Sequence, residues 1–82
     1  MKIDEYWVEG NRAFVNIVIQ EGIVRLEFQI DEEEKKLHIL GYVKTEKGKI
    51  SETKTLTNSE YETARNLARE ALLSDPQFSD YT

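Results

Sequence analysis

RAFVNIVIQEGIVRLEFQI, residues 12–30, is the stretch that decides the fold. Its first half sets Ala13, Val15, Ile17 and Ile19 at alternate positions, and after Glu21-Gly22 its second half repeats the pattern with Val24, Leu26, Phe28 and Ile30. A period of two marks a strand with one buried face, and a Glu-Gly pair between two such runs reads as a tight reversal. Two antiparallel strands sharing one apolar face are predicted.

Upstream, IDEYWVE (3–9) is separated from this pair by Gly10-Asn11, which tolerates the positive φ of a hairpin turn. Downstream, the run DEEEKK (31–36) is too charged to pack and forms a solvated loop. It leads into LHILGYVK (37–44), and TEKGK then turns the chain into KISETKTL (49–56), the least apolar segment and therefore an expected sheet edge. Gly41, inside a strand pattern, predicts a bulge or a close backbone approach.

From Thr57 the period changes. At 100° per residue, Tyr61, Ala64, Leu67, Ala68, Ala71 and Leu72 fall on one side of a helical wheel and Glu62, Asn66, Arg69 and Glu70 on the other. The start carries capping logic in two registers, Thr57 with Glu60 or Ser59 with Glu62. Pro76 stops the helix near Ser74 or Asp75, because the residue before a proline avoids helical geometry.

The predicted fold class is therefore α+β: an antiparallel meander sheet of about five strands with one C-terminal helix packed on one face. Eighty-two residues suffice for one domain with a thin core. Residues 1–76 are assigned to it and 77–82 to a C-terminal tail. Width is the difficulty. A helix about 10 Å across covers two or three strands at about 4.8 Å spacing, so either the sheet curls or apolar surface is left for another chain.

The composition removes most chemistry from consideration. There is no cysteine, so disulfides, thiolate metal sites and thiol nucleophiles are excluded. His38 is the single histidine and has no second ligand to complete a zinc site. Asp31, Glu32, Glu33 and Glu34 lack the alternating ligands, glycine and distal glutamate of a calcium loop. The glycines form no phosphate-binding fingerprint, and Ser51, Ser59, Ser74 and Ser79 lie in no nucleophile-elbow context. No enzyme activity, cofactor or metal is expected. The N-terminus MKIDEYWVEG resembles no signal peptide and no segment reaches about 20 apolar residues, so a soluble, cytoplasmic protein without membrane contact is expected.

What remains is surface. If Ala13, Val15 and Ile17 face the helix, then Phe14 and Val18 point the other way, joined by Trp7 and by Leu40 or Tyr42, depending on register. A contiguous patch of this kind marks an interface, whereas scattered apolar residues need no explanation. Phe78 and Tyr81 in the tail SDPQFSDYT either dock on the domain or serve as a short motif for a partner. The expected function is a small non-enzymatic protein-interaction module, homodimeric, with Trp7, Phe14, Val18, Tyr42, Phe78 and Tyr81 as candidate interface residues. Strand-borne aromatics also stack single-stranded nucleic acid, but 16 acidic against 11 basic residues, a net charge of -5, disfavour phosphate. An acidic decoy for a nucleic-acid-binding site is a third reading, resting on net charge alone.

Overall fold

Alternation along residues 12–30 produces the two central strands of the sheet. A computed structural model describes residues 1–20, 22–46, 49–51 and 56–82. In it β1 (Lys2–Glu9), β2 (Arg12–Ile19), β3 (Gly22–Asp31), β4 (Lys36–Glu46) and the short β5 (Lys49–Ser51) form one antiparallel sheet in chain order, and α1 (Asn58–Leu73) packs on one face. The predicted α+β meander is the fold. Glu21, Lys47 and Gly48, expected from sequence to lie in turns, are outside the described residues, as is the segment 52–55 of the last expected strand.

The buried face is the one the alternation picks out. Ala13, Val15, Ile17, Val24, Leu26 and Phe28 are fully buried, and Ile30 and Leu37 nearly so. Gly10 takes φ 61° in the first turn, the left-handed geometry that glycine adopts without a Cβ penalty. The charged loop closes on itself, because the Asp31 side chain accepts the Glu34 backbone N–H at 3.0 Å. At the predicted position β4 carries a bulge: Phe28 pairs with Ile39 but Glu27 pairs with Gly41, so Leu40 is the extra residue.

Of the two capping registers, Thr57 with Glu60 is the one formed. Thr57 Oγ1 accepts from the Glu60 backbone N–H at 3.1 Å and the Glu60 carboxylate accepts from the Thr57 N–H at 3.0 Å. That second bond holds the Glu60 carboxyl below the usual carboxylate range. Ser59 lies inside the helix instead, its carbonyl accepting the Thr63 hydroxyl.

The helix meets the width problem by crossing strands rather than following one. Near its start the Tyr61 ring lies 5.4 Å from that of Tyr42 on β4, and just beyond its end the Asp75 carboxylate accepts the Tyr6 hydroxyl of β1 at 2.8 Å. Ala64, Ala68 and Leu72 form its buried stripe. Midway, Arg69 donates to the Leu37 carbonyl at 2.9 Å while its guanidinium lies over the Phe28 ring.

The chain then returns across the remaining gap. Pro76–Phe78 form a 3-10 turn capped by the Asp75 side chain, which accepts the Gln77 N–H at 3.0 Å. Phe78 is 3% exposed within the same core cluster as Ile30 and Leu37, and Tyr81 packs edge-on against it at 5.1 Å. The Thr82 N–H donates to the Lys35 carbonyl, and the Lys35 ammonium lies 3.6 Å from Asp80 and over the Tyr81 ring. The tail is docked on the helix side, which takes Phe78 out of the set of surface candidates: its ring fills core that the helix leaves uncovered.

Candidate functional site: the open face of the sheet

Among the described residues, no helix packs on the opposite face. Cross-strand pairing arranges its side chains in rows, one of which runs Trp7–Phe14–Glu27–Gly41, the next Glu5–Asn16–Arg25–Val43 and the third Glu9–Arg12–Gln29–His38. On β1 these rows begin with Trp7, Glu5 and Glu9, and on β4 they end with Gly41, Val43 and His38.

These side chains hold one another. Trp7 stacks on Phe14 with ring centroids 5.3 Å apart and 17° between planes, and the Arg25 guanidinium lies 5.0 Å from the centre of the Trp7 ring. Arg25 Nε donates to Asn16 Oδ1 at 3.0 Å, and Asn16 Nδ2 donates to Glu5 Oε1 at 3.4 Å. Asn16, 5% exposed, is thus satisfied on both sides, as a buried amide must be. Arg12 pairs with Glu27 at 2.6 Å, both about 40% exposed, so the pair fixes geometry more than it stabilises.

Beside this network lies an apolar strip. Leu40 and Val43 are 46% and 41% exposed, and with Arg25, Glu27, Gly41 and Tyr42 they line a shallow depression of about 250 Å³. Above Gly41 the space is open, with nothing within 4 Å of where a Cβ would stand. At the far end of β4, His38 Nε2 lies 3.3 Å from the Asp31 carboxylate, which the Glu34 N–H and then His38 hold below its usual range.

Of the residues picked from sequence, the fold brings Trp7 and Phe14 together on this face and places Val18 on it as well, beyond the intervening Glu5–Asn16–Arg25 row. Tyr42 is not among them. The bulge shifts the phase of β4 by one residue, so Leu40 and Val43 face outward while Tyr42 turns to the helix, its hydroxyl accepting the Leu56 N–H at 3.0 Å and its ring against Tyr61. Tyr81 is half-buried beside Phe78 on the other side of the molecule. Sequence reasoning missed the Glu5–Asn16–Arg25 chain, because a cross-strand network shows only once register is known. Val43 was missed for the same reason.

Among the described residues no cluster of three or more His, Cys, Asp or Glu side chains is placed to hold a metal, and no helix is long and apolar enough to cross a membrane. No protein-family model, curated protein sequence or solved structure matches the chain.

Proposed function

We propose that the protein is a small non-enzymatic interaction module, acting in the cytoplasm as a homodimer through the open face of its sheet. One observation carries this reading: Trp7, Phe14, Val18, Leu40 and Val43 share a face that no element among the described residues covers, and hydrogen bonds hold the polar groups among them in place. A surface of preordered aromatic and aliphatic groups inside a satisfied polar frame suits a protein partner, because little side-chain entropy remains to be lost on contact.

The same face argues against the two nucleic-acid readings. Arg25 is committed to Asn16 and Trp7, and Arg12 to Glu27, so neither is free for phosphate. Acidic and basic groups alternate along the rows instead of segregating, which does not suit an acidic decoy.

Light scattering on the full chain at tens of micromolar tests the proposal, together with titration of fluorescent single-stranded oligonucleotides. A dimer with no salt-tolerant oligonucleotide binding is expected. A monomer throughout, or tight binding that survives salt, would overturn it.

A further inference from the structure

We infer that β1 is a docking edge, at which an extended basic segment of another protein adds to the sheet as a further strand along residues 5–9. The inference concerns the rim of the sheet and holds whether or not the open face pairs two copies.

The two rims are finished differently. Along β4 the Leu37 carbonyl accepts Arg69 at 2.9 Å, the nearby Lys35 carbonyl accepts the Thr82 N–H at 3.0 Å, and β5 pairs with Lys44, Thr45 and Glu46. Along β1, among the described residues, only β2 bonds to the backbone. An open strand edge is a template for pairing with another chain.

Which groups point outward follows from one bond. The Ile30 N–H donates to the Asn11 carbonyl at 2.8 Å, and in an antiparallel pair each residue turns its N–H and C=O to the same side. Asn11, Ala13 and Val15 thus bond toward β3, and Arg12, Phe14 and Asn16 toward β1. Their partners Glu9, Trp7 and Glu5 are used up, so Tyr6 and Val8 present their N–H and C=O groups outward. The regular stretch ends at the irregularity between Ile3 and Glu5, which limits the edge to residues 5–9.

Charge selects the occupant. An incoming strand sets alternate side chains beside Glu5, Trp7 and Glu9 on the open face and the others beside Tyr6 and Val8 on the helix face. Asp4 and Glu9 are exposed and make no ion pair with any described residue, and Glu5 only accepts from Asn16, at 3.4 Å. Lysine or arginine beside the two glutamates, with apolar residues beside Tyr6 and Val8, complements both faces. A second copy of β1 fits worse. Pairing Tyr6 with its Val8 centres the two strands on Trp7 and sets Glu5 against Glu9 at both ends, like charges directly opposed.

The test is amide hydrogen exchange by NMR on the full chain, with and without about 1 mM of a capped peptide of about seven residues alternating lysine and valine. The Tyr6 and Val8 amides, which point outward in the free chain, should slow at least about tenfold, while those of Trp7 and Glu9, already bonded to β2, change little. A matched peptide alternating glutamate and valine should protect neither, and Asp4→Lys with Glu9→Lys should remove the protection at a retained melting point. Three results would each overturn the inference. Equal protection by both peptides would remove the charge selection, and protection that appears on concentrating the chain alone would give the edge to a second copy. Absence of protection would show that the charges and the irregularity of β1 serve only to keep this edge unpaired.

Discussion

The two faces of one sheet solve opposite problems with similar strands. On the helix side Val15, Leu26 and Phe28 are fully buried under α1 and the returning tail, and order comes from exclusion of water. On the open side Trp7, Phe14 and Arg25 are ordered by stacking and hydrogen bonds while they stay accessible. Burial holds the fold; the polar lattice keeps a partly apolar surface in one conformation. Substitutions on the two sides should therefore differ in kind as well as in size.

The largest contrast is between Leu26 and Val43, which lie on adjacent strands and opposite faces. Leu26→Ala removes a fully buried side chain and leaves a cavity, so it should cost about 2–5 kcal/mol in urea unfolding. Val43→Ala, at 41% exposure, should stay within about 0.5 kcal/mol. Comparable losses at the two positions would mean that the open face is already covered in solution.

Next comes Phe78, which tests whether the tail belongs to the buried side. Phe78→Ala should cost about 3 kcal/mol, near the lower end for a buried aromatic, because the short 3-10 turn can relax into the gap. A melting point unchanged by this substitution, with sharp NMR signals from residues 77–82, would show the tail undocked. Smaller is Thr57→Ala, which removes one acceptor of the capping box and should cost about 1 kcal/mol, with hydrogen exchange accelerating only in the first turn of α1. Exchange accelerating along the whole helix would show that the cap, rather than packing, holds it.

How far the sequence reached follows the same division. Strands, helix and helix stop were legible because each rests on a local pattern: a period of two, a period of 3.6 with a cap, and a proline. Gly41 announced the bulge, yet the consequence, Tyr42 turning inward and Val43 outward, required the cross-strand register. The route of the helix from Tyr42 to Tyr6 was equally hidden, since contacts between residues so distant in sequence leave no periodic trace. On the open face the aromatic residues were visible and the lattice that orders them was not. Asn16 illustrates this: in sequence it is one polar residue in an apolar run, and only Glu5 and Arg25 on either side explain its burial.

The smallest effect belongs to the Tyr6–Asp75 hydrogen bond, where the edge strand β1 meets the end of the helix, and it should fade at both ends of the pH scale. Asp75 is held below the usual carboxylate range, first by the Gln77 backbone N–H and then by the Tyr6 hydroxyl. A carboxyl depressed in the folded state contributes stability that is present above its unfolded pKa, about 4, and is lost as pH falls through the folded value. Tyr6 is raised, mainly by its hydrogen bond to Asp75, so its contribution is present below about 10 and lost as pH rises through the folded value. Tyr6→Phe keeps the ring and deletes the bond. The melting-point difference between wild type and Tyr6→Phe should therefore be flat from about pH 5 to pH 9 and shrink on either side. Asp75→Asn should flatten the acid limb further, because it also removes the charge that accepts from Gln77. A difference that stayed constant from acid to alkali would show that this bond does not tie β1 to the helix end, and that packing alone joins them.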